Sequence, residues 1–117
     1  MATNSLITSV EVGSFKIGTG LPLALISGPC QIEGRDHALF HAKALKIAAE
    51  KAGMNFIYKS SFDKANRTSV NAARGVGIDE GLRILEDVKK QFNCPLLTYV
   101  HSSEQCSAVA EIVDILQ

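Results

Sequence analysis

Strand-sized apolar runs alternate with segments of helical periodicity along this chain, and that alternation constrains its fold more than any other feature. Leu21 to Ser27 (LPLALIS) is a continuous apolar run closed by Gly28-Pro29. A run apolar on both faces and bounded by breakers reads as a strand of a buried parallel sheet. Asp36 is a good N-cap for a helix to about Lys51, with Leu39, Ala42, Leu45, Ala48 and Ala52 at helical spacing and Gly53 as the stop. Asn55 to Lys59 (NFIYK) is the next strand, and a long polar stretch, Ser60 to Gly77, follows it. Asp79 opens a second helix with Leu82, Leu85 and Val88 on one face. Pro95 precedes a third strand, Leu96 to Val100; Ser102 or Ser103 caps a short helix through Ala110; Ile112 to Leu116 is a fourth strand. Ahead of all this, about residues 5–18 alternate, with Ile7, Val10, Val12, Phe15 and Ile17 placed around Gly13-Ser14, which predicts a β-hairpin.

Strands that alternate with helices pair in parallel through right-handed crossovers. The fold class is therefore α/β, and either a doubly wound sheet or a β/α barrel satisfies the pattern. A barrel needs eight strands and about 250 residues. This chain offers four barrel-type strands in 117 residues and ends at Gln117 with no helix after the last strand, so the expectation is one incomplete domain over residues 1–117.

Twelve Lys and Arg balance twelve Asp and Glu. Zero formal charge gives no electrostatic reason for nucleic-acid or membrane-surface binding. No apolar run reaches the roughly 20 residues of a membrane helix. The first basic residue is Lys16, so no charged leader is expected. Three scattered cysteines, Cys30, Cys94 and Cys106, build no disulfide framework. They point to a reducing cytoplasm.

Chemistry-bearing residues fall just after strand ends: Cys30 after the first strand, Lys59, Ser61, Lys64, Asn66, Arg67 and Thr68 after the second, His101 after the third, and Gln117 at the fourth. Loops at the C-terminal edge of parallel strands are where such folds build active sites. Three cations, Lys59, Lys64 and Arg67, lie within one short stretch among hydroxyl and amide groups. That set suits phosphate and carboxylate ligands: Arg binds as a bidentate fork, Lys as a point charge.

At these residues the sequence resembles a family. Lys59-Ser60-Ser61-Phe62-Asp63-Lys64-Ala65-Asn66-Arg67-Thr68-Ser69 is closely similar to the signature of the 3-deoxy-D-manno-octulosonate 8-phosphate synthases (2-dehydro-3-deoxyphosphooctonate aldolases). Ser27-Gly28-Pro29-Cys30, with Ile32-Glu33 beyond, resembles that family's first-strand motif. Arg74-Gly75-Val76-Gly77 with Glu80 to Leu85, Thr98 to His101, and Asp114 to Gln117 are similar to later segments, in family order. The resemblance implies the first half of a (β/α)8 barrel preceded by an N-terminal hairpin, in an enzyme that is usually a homotetramer. Its reaction condenses phosphoenolpyruvate with arabinose 5-phosphate on the route to Kdo and lipopolysaccharide, and the remaining metal ligands and phosphate-binding groups lie in segments this chain lacks.

Carried over residue by residue, the resemblance implies that Lys59 and Ser61 face the phosphoenolpyruvate carboxylate and that Lys64 lies between the two substrates, near the reacting carbons. Asn66, Arg67 and Thr68 would hold the aldose phosphate, and Gln117 would serve the phosphoenolpyruvate side. Metal-dependent members carry Cys, and metal-independent members Asn, at the position of Cys30, so a divalent metal ion is the implied cofactor. One departure stands out: Thr98-Tyr99-Val100-His101 replaces the usual Thr-Asp-x-His, a phenol where a carboxylate is common. His101 is read either as a site residue or as a histidine tied to the strand end, Glu33 as a site contact or a helix cap, Arg74 as ordering the long loop or pairing with an acid, and Asp63 as holding the lysines. Lys89 and Lys90 suit the dipole at the end of their helix. Two rivals remain. One is the related aromatic-pathway synthase that uses erythrose 4-phosphate, which has Lys-Pro-Arg-Thr where this chain has Lys64-Ala65-Asn66-Arg67-Thr68. The other is a non-catalytic truncated remnant. On any of these readings the 117 residues alone are expected to be inactive.

Overall fold

The computed structural model describes residues 8–63 and 75–117. Its elements run β1 (Ser9–Val12), β2 (Phe15–Gly18), β3 (Ala24–Ser27), α1 (Arg35–Lys51), β4 (Asn55–Lys59), α2 (Ile78–Phe92), β5 (Leu96–Thr98), a 3-10 turn (Ser103–Gln105), α3 (Cys106–Ala110) and β6 (Ile115–Leu116). Strands β3, β4, β5 and β6 form one parallel sheet in that order. The expected mixed α/β order of strands and helices is present. Strands β1 and β2 pair antiparallel, Val12 opposite Phe15, with Gly13 at φ +57° supplying the turn.

Alternation along the strands divides the sheet into two faces. Leu25, Phe56, Tyr58 and Leu96 join the larger core, with Ala38, Ala42 and Ala49 of α1, Ile84, Leu85 and Val88 of α2, and Val109 of α3. Val12 of the hairpin packs with Ile57 and Leu97 on the other face, beside Ala24 and Ile115. The hairpin thus sits at the N-terminal ends of the strands, where a Cβ on Gly13 would touch Pro95 just before β5.

Several boundaries differ from expectation. Helix α1 starts two residues earlier, with Gly34 rather than Asp36 at the N-cap and no side-chain cap; Asp36 lies inside the first turn, where its carboxylate still meets the positive end of the dipole. Ala48 and Ala52 are exposed, because the close packing surface is made by Ala38, Ala42 and Ala49, with Leu39 and Leu45 flanking it. Helix α2 begins at Ile78 after Gly77, whose φ of +87° is left-handed, and ends on left-handed Asn93. The first strand is confined to Ala24–Ser27, and β5 stops at Thr98. The fourth strand is only Ile115–Leu116: Ile112 and Val113 still bond back to the Val109 carbonyl as an extra turn, and sheet pairing resumes where Asp114 N–H donates to Leu96 O.

Candidate functional site

The C-terminal ends of β3, β4 and β5 open onto a cleft of about 570 Å³. Lys59, Ser61, Asp63, Cys30, Tyr99 and His101 line it, with Ile26 and the Ser27–Pro29 turn at its base. Two loop segments are locked side by side to build this rim. Gln31 and Ser61 form a parallel bridge that continues the β3–β4 pairing beyond the Gly28-Pro29 turn. Ser61 N–H donates to Cys30 O at 3.2 Å, and Ile32 N–H to Ser61 O at 2.8 Å. Ser60 Oγ donates to Pro29 O at 2.6 Å, and the buried Thr98 Oγ1 donates to Ser60 O at 2.7 Å, which ties the β5 end to the same rim. Gly28 lies against Lys59, and any Cβ there would run into the Lys59 carbonyl.

Lys59 reaches the cleft by strand parity. In NFIYK, Phe56 and Tyr58 face the helices, so Ile57 and Lys59 face the other side. Lys59 is in register with Leu97, and Tyr99, two residues further on, continues that face. The Lys59 ammonium sits 4.9 Å from the centre of the Tyr99 ring, within cation–π range. Among the described residues no carboxylate lies within ion-pair distance of it.

The other expected residues divide. Cys30 is exposed and free at the cleft. Ser61 is buried on the cleft wall, and its hydroxyl donates to Asp63 O at 2.6 Å and accepts Asp63 N–H at 3.3 Å. Gln117 is held by backbone bonds, its N–H to Thr98 O and its O from Val100 N–H, and it does not line the cleft. Lys64, Asn66, Arg67, Thr68 and Arg74 lie outside the described residues. His101 lines the cleft, its ring nearly perpendicular to that of Phe62 with centroids 5.8 Å apart; its backbone N–H donates to Gln105 Oε1 at 2.8 Å, and among the described residues no hydrogen bond ties the ring itself to the strand end. Glu33 turns away to His37, 3.3 Å from Nε2. Lys89 does more than suit the dipole, since it bonds Asp114 at 3.0 Å and Ile112 O at 3.2 Å.

Two residues carry more of this site than their sequence signal suggested. Tyr99 stood out only as a departure from a pattern, yet it is the group that meets Lys59. Phe62, an aromatic in a polar stretch, is fully buried and anchors the loop ends: its carbonyl accepts Gly77 N–H at 3.0 Å, and its side chain fills the space that Gly81 leaves in α2.

Cys30 and His101 supply a thiol and an imidazole to one cleft, donor types that suit a first-row divalent ion. Among the described residues no group of three His, Cys, Asp or Glu side chains could hold a metal. Two such donors fall short of the three or four ligands that a tightly held divalent ion needs. No helix of the described residues is long and apolar enough to cross a membrane.

The profile of the DAHP synthetase I family matches residues 5–117. The chain belongs to that family. Within it, the chain is 60% identical over 108 residues to the 2-dehydro-3-deoxyphosphooctonate aldolases of Rickettsia bellii (strain OSU 85-389) and Rickettsia rickettsii (strain Sheila Smith), and 57% identical to that of Rickettsia canadensis (strain McKiel). Each match covers 92% of this chain and 39% of the relative, so the chain spans well under half of these proteins' length. The resemblance read from the Lys59-to-Ser69 block and the strand-end motifs thus agrees with the names of these relatives.

Proposed function

We propose that this chain forms the N-terminal part of a cytoplasmic β/α-barrel synthase that condenses phosphoenolpyruvate with arabinose 5-phosphate. The products are 3-deoxy-D-manno-octulosonate 8-phosphate and phosphate, and the complete enzyme is a homo-oligomer, tetrameric by resemblance. The observation that carries this reading is an ammonium without a carboxylate partner among the described residues, Lys59, which shares with a free thiol a cleft at the C-terminal edge of a parallel sheet.

In this reaction the methylene carbon of phosphoenolpyruvate bonds to the aldehyde carbon of the open-chain sugar, and the aldehyde oxygen takes a proton. Water adds at the carbon that bears the phosphate, and phosphate leaves by cleavage of that carbon–oxygen bond. Both substrates are anions, so the protein's work is mainly positioning and charge neutralisation. Lys59 would hold the phosphoenolpyruvate carboxylate, with Ser61 fixing the loop on that side. Gln117 would also serve the phosphoenolpyruvate side. Lys64 would act between the substrates, and Asn66, Arg67 and Thr68 would grip the sugar phosphate. Cys30, with His101 lining the same cleft, would be this chain's contribution to a divalent-metal site. When bound, such an ion supplies Lewis-acid orientation of the aldehyde or of the water.

The test is a chimera in which residues 1–117 replace the matching segment of the Rickettsia bellii relative. Phosphate release from phosphoenolpyruvate that depends on arabinose 5-phosphate is the expected result. Release that depends instead on erythrose 4-phosphate would favour the aromatic-pathway activity, and no release with either sugar would favour a remnant.

A further inference from the structure

Lys59 and Tyr99 share one sheet face at adjacent strand ends, and the ring covers the β5 side of the ammonium at 4.9 Å. A lysine at a strand end carries a flexible stem, and holding it in one place costs rotamer entropy. Pairing with a carboxylate would offset that cost but would also neutralise the charge. An aromatic face holds the ammonium through its quadrupole and leaves the full positive charge in place. Tyr99 is half-buried, its position being set by its backbone just beyond β5, where Thr98 is bonded to Ser60 O.

We propose that Tyr99 is the positioning residue for Lys59: it holds the ammonium over the cleft without neutralising it, so that the cleft takes a small carboxylate or phosphate anion. The nature of the anion rests on the function proposed above; the positioning role does not. The ring is the active part, and the phenol hydroxyl is dispensable. Tyr99→Phe therefore keeps the behaviour, and Tyr99→Leu, which retains apolar bulk, loses it.

The experiment uses the chimera described above, with 13C-labelled lysine side chains, the Lys59 signal being assigned by its loss in Lys59→Arg. In the wild type and in Tyr99→Phe, the Lys59 ε-methylene protons are displaced upfield by the ring current. In Tyr99→Leu that displacement disappears while the other lysine signals stay in place. Phosphoenolpyruvate, added as the probe, binds the wild type and Tyr99→Phe alike and Tyr99→Leu roughly two- to fivefold more weakly, the factor expected when an exposed cation–π contact is lost. A Lys59 signal that is the same in the wild type and Tyr99→Leu overturns the positioning role, whatever binds. Measurable phosphoenolpyruvate binding that is equally tight in all three chains also overturns it. A ring-current shift that behaves as expected, with no phosphoenolpyruvate binding by any chain, upholds the pair and instead sinks the assignment of the cleft to small anions.

Discussion

Two residues show how narrowly individual positions are specified. Tyr58 is fully buried on the helix-facing side of β4, and among the described residues its hydroxyl has no hydrogen-bond partner. Burial pushes its pKa up to about 12; the nearby Ser60 hydroxyl, which donates its own proton to Pro29 O, pulls the other way. The folded state therefore keeps a proton that the unfolded chain gives up near pH 10. The resulting stabilisation is complete below pH 10 and is lost as pH climbs through about 12, a change of roughly 2–3 kcal/mol. The chain has two tyrosines. An alkaline titration followed by phenolate absorbance should show a late component near pH 12 that Tyr58→Phe abolishes. At neutral pH the same substitution should cost nothing, or stabilise by about 1 kcal/mol, since it removes an unpaired buried polar group. A late component that survives in Tyr58→Phe would refute the assignment. Gly28 is constrained by sterics instead. A Cβ there meets backbone, which cannot swing aside. Gly28→Ala should destabilise by roughly 1–3 kcal/mol, the usual cost of overpacking, and should displace the Lys59 signal, as urea unfolding and NMR would report. The sequence marked Gly28 as a strand breaker and as part of the first-strand motif; its closeness to Lys59 is a cross-strand fact that no local pattern encodes.

At the scale of elements, helix α2 holds an apparent mistake. Gly81 lies in its first half, where Gly costs about 1 kcal/mol relative to Ala. The space it leaves is filled by Phe62, whose backbone also receives Gly77. Gly81→Ala should therefore destabilise by roughly 1–2 kcal/mol net, despite its better helix propensity. A raised urea midpoint would show that Phe62 is not locked there. At the other end of α2, Lys89 and Asp114 join the helix to the β5–β6 edge, and Asp114 Oδ2 also accepts Leu96 N–H at 2.9 Å. Asp114→Ala should cost about 1–2 kcal/mol, more than Lys89→Ala, because it strands a backbone donor as well as an exposed cation. The order of elements was legible because its signals are local: apolar runs, helical spacing and Gly stops. Strand NFIYK matched residue for residue, since both of its faces are buried until Lys59. The ends of β3, β5 and β6 were not legible, because pairing there stops where the neighbouring strand stops. Ile112 and Val113 read as strand by composition, yet the last turn after α3 claims them.

Across the whole molecule, the site was legible to the extent that strand parity and loop position determine it. Lys59, Cys30 and His101 do meet in one cleft. Gln117 shares their edge but does not reach the cleft, and the partnership of Lys59 with Tyr99 depends on β4–β5 register, which no sequence spacing reveals. The same sheet carries a liability. Among the described residues, β3 and β6 are each paired on one side only. Leu23 is 76% exposed just before β3, Ile26 is 44% exposed on the cleft face, and Leu116 is 39% exposed on β6. Apolar side chains beside unpaired strand edges promote edge-to-edge and face-to-face association. In the relatives' sequences, more than half of the protein lies outside the matched segment. The chain alone should therefore self-associate and bind dyes that report apolar surface. Leu23→Lys combined with Leu116→Lys should shift sedimentation toward monomer and lower dye binding without loss of helix signal, because neither side chain belongs to the core. Zero formal charge in the parent offers no repulsion to oppose association, and the two lysines add some. If the unsubstituted chain sediments as a monodisperse monomer with a sharp cooperative melt, its sheet closes its own core, and the half-barrel reading fails with it.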